Sequence, residues 1–375
     1  TKSLFRMPAE WERQQSTLIG WPYNKNDWPG KFKNIPKIFA EIISKITKSQ
    51  EVNLLIKNYN SKNAIKRLLR KNNAKVQNVK FIICKTDRVW MRDTGPIFIK
   101  DKKNQNILLN WKFNGWAKYK NYRADNKVNL RIKSHYKGNV ITPKFNKKPI
   151  VLEGGAIDVN GKGLLLTTKE CLLSKIQQRN SFLKIKNYNR IFKKFLGAKK
   201  VIWLNKGIEG DDTHGHVDDI ARFVKHNKVF LAYENNKKDK NFKNLDENFK
   251  ILKKIRINSS QIRIKKIPMP RPIYINKIRV PASYLNFYIF NKFVLLPTFN
   301  DPKDKIVIKI FKVKSKGFLR YQVRLMVGAL VNVGRGDWSI DEFQDTLTNP
   351  NGSQVKHIAP SSGLVLHEVC FDQHT

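Results

Sequence analysis

The order helix, strand, polar loop, strand recurs along this chain at long period, and few folds accommodate such a pattern. It runs from a helix with Ile38, Ile42 and Ile46 on one face, through the strand Val52 to Ile56 and a helix with Ser61 as N-cap carrying Ile65, Leu68 and Leu69, to the strand Val79 to Cys84, a polar loop and the strand Pro96 to Ile99. It returns with helical Arg190 to Leu196, the strand Val201 to Leu204, an acidic loop and the strand Val217 to Val224, turning at His226-Asn227 into Val229 to Tyr233. It returns again with a helix around Phe249 to Ile255, the strand Ile262 to Ile267, a Pro-rich loop, the strand Tyr284 to Phe290 and, after a turn at Asn291-Lys292, Phe293 to Leu296. Repeats of this length imply α/β modules set around an axis, so residues at equivalent loop ends converge on one central site. Those positions hold Asp93, then His216 and Asp218, then Asn286.

The densest of these loops is Gly207 to Val224, with two histidines and five acidic residues. If His216-Val217-Asp218 opens a strand, alternation sends His216 and Asp218 to the same face, where they can supply a proton and hold a cation. A solvated acidic loop with a surface histidine is the plainer alternative at this point.

Bulk properties narrow the class. A chain of 375 residues with 41% hydrophobic and 11% aromatic content buries a full core as one or two domains. No run reaches the length of a membrane span, Thr1 to Arg6 lack the apolar core of a signal peptide, and the expected compartment is the cytoplasm. Three scattered cysteines, Cys84, Cys171 and Cys370, suit neither a disulfide framework nor a zinc site, so no metal is expected. A net charge of +45 raises weak nucleic-acid binding as a partner reading, but the lysines are dispersed among Ile and Asn and carry no recognition motif. The charge is also uneven: Lys316 to Thr375 hold five basic and six acidic residues, so the positive excess lies before residue 316.

Several motifs then coincide: Val89-Trp90-Met91-Arg92-Asp93-Thr94-Gly95-Pro96; Leu152-Glu153-Gly154-Gly155 with Leu164 to Leu172; and Gly215-His216-Val217-Asp218-Asp219. With Met7 to Glu12, Trp21-Pro22 and Ala282 to Tyr288, they resemble the agmatine deiminases and related bacterial peptidylarginine deiminases from about Met7 to about Lys312. The resemblance implies a pentein-like, five-module pseudosymmetric α/β propeller and hydrolysis of agmatine to N-carbamoylputrescine and ammonia, as in putrescine biosynthesis. It implies no metal and no cofactor. Protein-arginine deimination is the alternative within the family.

A planar guanidinium suits bidentate carboxylates, and the resemblance gives that grip to Asp93 and Asp218. It gives His216 the role of general acid and base, Trp90 that of cover over the bound group, and Asn286 and Glu153 places bordering the substrate. Plainer roles stay open: Asp93 as a turn cap, Trp90 as packing, Asn286 as a strand-end hydrogen bonder, and Glu153-Gly154-Gly155 as a turn with positive φ at its glycines. Agmatine is a dication, yet repulsion by a basic protein is screened beyond about 8 Å, and Glu209, Asp211, Asp212, Asp218 and Asp219 reverse the local field. A homo-oligomer is left open.

The resemblance lapses where its nucleophilic cysteine belongs, in a Gly-rich segment ending in His-Cys that this sequence does not have. The nucleophile is unknown, and turnover is expected to be impaired. Phe318 to Gly328, Val333 to Gly336 and Ala359 to Leu366 instead resemble the C-terminal end of TruA-type tRNA pseudouridine synthases, with Arg324 matching an arginine near that family's active site. A tRNA-binding or pseudouridine synthase-related protein is therefore the second functional reading. Two domains are expected, a deiminase-like propeller over 1–313 and an unrelated segment over 314–375 that replaces the fifth module. Cys370 reads as a core strand residue.

Overall fold

The computed structural model describes residues 4–136, 138–257, 260–291 and 293–311, with 339 and 341. The chain divides into two units, Thr1–Phe311 and Lys312–Thr375. Arg324, Cys370 and the tail motifs lie outside the described residues.

Three sheets share one plan, in which two antiparallel strands lead into a helical crossover and a third strand pairs parallel to the second. They are Ile97–Lys100, Asn106–Leu109 and Val140–Ile141; Asp158–Val159, Leu164–Thr168 and Lys200–Leu204; and Ala221–Lys225, Lys228–Tyr233 and Arg263–Pro268. Their crossovers carry helices Val128–Ile132, Ile185–Ile191 and Asn241–Lys253. A parallel connection must span the sheet, and a helix with one apolar stripe does so while covering it. The chain opens with a fully parallel sheet, Ser16–Gly20, Glu51–Ile56 and Val79–Ile83, linked by helices Ile35–Ile46 and Lys62–Lys71. Its central strand, Val52 to Ile56, is buried throughout, as a strand covered on both faces should be.

The last hairpin, Tyr288–Phe290 with Phe293–Leu295, is followed by helix Lys303–Ile310. Phe290 packs in one core with Trp21, Ile43, Leu54 and Leu69 of the first sheet and its helices. Gln14 Nε2 donates to Ile289 O at 2.7 Å and the Thr17 and Tyr288 hydroxyls meet at 3.0 Å, so the end of this unit lies against its beginning.

Four sequence expectations give way to local physics. In helix Ile35–Ile46 the inward face is Ala40, Ile43 and Ile46, whereas Ile38 is 45% exposed. Ser61 precedes helix Lys62–Lys71 but does not cap it; its hydroxyl donates to Asn58 O. Val217–Asp219 is a single 3-10 turn, and the strand begins only at Ala221. Tyr284 to Phe287 is not strand either, because the buried Arg222 guanidinium takes the carbonyls of Leu285 and Phe287 at 3.3 and 2.9 Å. Those oxygens serve a side chain instead of a ladder.

Candidate active site

His216 enters its turn directly after Gly215, whose φ of +85° is cheap only for a residue without Cβ. Asp211 fixes this approach, since one of its carboxylate oxygens accepts from the amides of Gly215 and His216 at 2.8 and 3.0 Å. His216 is 2% exposed, with Nδ1 3.7 Å from Asp93 Oδ1 and 3.9 Å from Asp218 Oδ1. His216 and Asp218 thus meet across a 3-10 turn and not along the pleat of a strand.

Asp93 lies in the single helical turn Met91–Thr94, and its carboxylate is held from two sides. Trp116 Nε1 donates to Oδ2 at 3.0 Å, and the Gly155 amide donates to Oδ1 at 2.9 Å. Neither Gly154 nor Gly155 has positive φ. They are glycines for want of room: a Cβ on Gly154 would fall 2.1 Å from Arg92 O, and one on Gly155 would fall 2.5 Å from His216 Nδ1, 2.7 Å from Asp93 Oδ1 and 2.9 Å from Asp218 Oδ2. Gly155 therefore marks the point on which all three polar groups converge.

Burial is the largest influence on each group. Alone it would push the imidazole pKa down, but Asp93, with Cys171 and Asp218, outweighs it and holds His216 well above the ordinary histidine value. Burial raises Asp93 against the opposing pull of His216, and it raises Asp218 to about 6. Asp219 is pushed well above the usual carboxylate range by burial and by Asp218 and Asp211. Three ionisable groups thus share one nearly dry setting, with the imidazole drawn toward its charged form and both carboxyls pushed up from their usual range.

The remaining candidates divide. Trp90 is 39% exposed, stacks on Trp28 with ring centroids 5.6 Å apart and meets the edge of Trp116, which places it one ring from Asp93. Asn286 is exposed and donates to Asp219 Oδ1 at 2.9 Å, one residue beyond Asp218. Glu153 is fully buried, with Oε1 accepting from Arg179 Nε at 3.0 Å. Glu153, Cys171 and His216 come close enough to share a cation.

Sequence reading missed Trp116 and Arg179, and it missed an ion-pair network that runs from partly exposed Arg92 to buried Arg222. Glu10 joins Arg92 at 2.6 Å and Arg222 at 2.7 Å, and Arg222 reaches Asp158 at 3.2 Å. A buried arginine inside an otherwise apolar strand, as in Ala221-Arg222-Phe223-Val224, was the available signal.

The family of Porphyromonas-type peptidyl-arginine deiminases matches residues 6–320. The agmatine deiminase of Pseudomonas aeruginosa (strain LESB58) is 29% identical over 357 residues, covering 89% of this chain and 93% of its own. A solved C. jejuni agmatine deiminase with substrate bound superposes with a TM-score of 0.72 at 28% identity, over 81% of this chain and 86% of that one. The Enterococcus faecalis agmatine deiminase gives a TM-score of 0.71 at 25% identity, over 82% and 87%.

Proposed function

Because this chain belongs to the Porphyromonas-type peptidyl-arginine deiminase family, we propose that it binds agmatine and is built to hydrolyse a C–N bond of the guanidinium group. The observation that carries this reading is the His216 imidazole set between the buried carboxylates of Asp93 and Asp218. Guanidinium is planar, always charged and rich in N–H donors, so two preorganised carboxylates grip it with charge-assisted bonds. Asp93 is the better positioned, since Trp116 and Gly155 lock its plane.

His216 then has two tasks. As an imidazolium it gives a proton to the departing nitrogen, which leaves as ammonia; as the neutral imidazole it next takes a proton from the attacking water. Trp90 walls the entrance with Trp28, and Asn286 orients Asp219 beside the grip. Glu153, close to His216, is itself held by a buried ion pair to Arg179.

The missing part is the nucleophile. Among the described residues the free thiols are Cys84 and Cys171, both buried. Cys84 packs with Leu55, Ile82 and Val128, and burial pushes its thiol pKa up. Cys171 packs with Leu172, Tyr188 and Ile191. Cys84 sits in apolar packing, and Cys171, although its thiol lies close to His216 and Glu153, is 1% exposed and shut off from an incoming guanidinium, so we read this chain as a substrate-gripping site with impaired turnover.

We read the shared plan of three sheets, the first parallel sheet and the final hairpin as five propeller modules, the last of them incomplete. Residues 1–313 are on this reading the deiminase-like domain, and 314–375 a segment of different origin. Calorimetry with agmatine, alongside ammonia release measured in parallel with the P. aeruginosa enzyme, tests the proposal. Agmatine binding with ammonia release far below that enzyme's is expected. Equal rates overturn the impairment, and absence of binding overturns the guanidinium reading. An arginine-containing peptide that displaces agmatine would instead favour a protein substrate, as the family's description suggests.

A further inference from the structure

The scattered cysteines argued against a metal, yet the fold gathers one of them into a buried cluster. Glu153, Cys171 and His216 come from three separate stretches, are 0%, 1% and 2% exposed, and offer ligand atoms all within 4.8 Å of one another. Their backbone anchors are shared. The Thr168 hydroxyl accepts from the Cys171 amide at 3.0 Å and donates to Gly215 O, binding the thiol's helix to the residue before His216.

Two atoms of this cluster lack a hydrogen-bond partner. They are His216 Nε2, whose interaction with the Cys171 thiol falls short of hydrogen-bond geometry, and Glu153 Oε2, both fully buried. Folded proteins satisfy nearly all buried polar atoms, and two orphans beside a thiol call for an explanation. Arg179 does not provide it, because its contact uses the other Glu153 oxygen, Oε1.

We propose that Glu153, Cys171 and His216 form an inhibitory zinc site. Thiolate sulfur, imidazole nitrogen and carboxylate oxygen are the donors Zn²⁺ takes, and a tetrahedral ion at ordinary bond lengths sets them about 3.5 Å apart. A cluster already within 4.8 Å closes on the ion by side-chain movement alone. Three protein ligands leave a fourth position for water. Asp93 and Asp218, facing Nδ1, are the outer carboxylates that orient a metal-bound histidine.

Binding releases the thiol proton and the imidazolium proton to solvent and forms Zn–S, Zn–N and Zn–O bonds, with no change of oxidation state. With Nε2 on the metal the ring can no longer alternate between imidazolium and neutral imidazole, so the proton transfers proposed for His216 stop. This consequence rests on the role proposed for His216, whereas the binding does not.

The experiment titrates metal-free full-length protein with Co²⁺ and follows thiolate-to-cobalt absorption in the near ultraviolet. One equivalent should give the band and Zn²⁺ should abolish it. Cys171→Ser should lose the band and bind Zn²⁺ at least tenfold more weakly, whereas Cys84→Ser should keep both. Glu153→Gln should keep the band with at least tenfold weaker binding, which tests the cluster even if Cys171→Ser fails to fold. No band, or a band that survives in folded Cys171→Ser, overturns the proposal. Agmatine calorimetry on the same metal-free protein separates the two readings: a cobalt band without agmatine binding keeps the metal site and removes the guanidinium site.

Discussion

The bare α-carbon of Gly155 faces the His216 imidazole so closely that a methyl group there would lie 2.5 Å from Nδ1. The same methyl would crowd Asp93 Oδ1 at 2.7 Å and Asp218 Oδ2 at 2.9 Å. Gly155→Ala should therefore push apart the three groups that grip a guanidinium. Overpacking of this kind costs about 1–3 kcal/mol of stability. Agmatine affinity should fall at least tenfold, and urea unfolding should show the loss of stability. Unchanged affinity would mean that substrate binds elsewhere.

The two carboxylates should not be equivalent under mutation. Asp93 accepts from Trp116 and Gly155, so in Asp93→Asn an amide group must face one of these donors and the residue is displaced. Among the described residues Asp218 has no such pair of donors to reject an amide. Both variants should bind agmatine at least tenfold more weakly, which is about 1.4 kcal/mol, and Asp93→Asn should also lose thermal stability. Calorimetry and thermal melts on both proteins check the order.

Much of this arrangement can be read in the sequence, because it depends on residue types at loop ends. Asp93, His216 and Asp218 are recognisable as polar groups at the entrances to apolar strands, and the fold brings them together. The local geometry is less legible. Alternation along a strand would also unite His216 and Asp218, yet a 3-10 turn does it, because Asp211 captures the amides that would otherwise start a ladder. Gly154 and Gly155 resemble turn glycines, but their reason is close approach to groups far away in sequence. Trp116 and Arg179 were invisible because their partners, Asp93 and Glu153, lie 23 and 26 residues away.

Agmatine binding should weaken as pH falls through about 6. Burial raises the Asp218 carboxyl to about 6 in the free protein, and a guanidinium binds its ionised form. Protons therefore compete with substrate, and the logarithm of affinity should fall with a slope approaching one per pH unit. Trp116→Phe removes a hydrogen bond that favours ionised Asp93, so it should move the acid limb to higher pH. His216 sets the opposite limb: its raised pKa extends the imidazolium to higher pH than an ordinary histidine allows, and any proton donation is lost only as pH rises beyond it. Calorimetry across pH 5 to 8 should show the acid limb, and a flat profile would exclude Asp218 from the grip.

Arg222 should be the costliest side chain to remove outside the site. It is fully buried, holds Glu10 Oε2 at 2.7 Å and Asp158 Oδ1 at 3.2 Å, and lies 4.6 Å over the Phe287 ring. Glu10 also holds Arg92, the neighbour of Asp93, and accepts from the Ile289 amide at 2.8 Å, so one guanidinium links three parts of the unit to the grip. Arg222→Met leaves buried Asp158 without its cation and Glu10 with Arg92 alone, and removing one partner of a buried pair costs about 3–5 kcal/mol. Burial already raises Asp158 to about 6 while Arg222 pulls it down, so the variant raises it further. A carboxyl whose folded pKa exceeds its unfolded value favours folding at low pH and loses that contribution as pH rises. Arg222→Met should therefore unfold more easily at pH 8 than at pH 5, and adding Asp158→Asn should restore part of the loss at pH 8 but little at pH 5. Urea melts at the two pH values, with the single and double variants side by side, would show whether Asp158 carries that dependence.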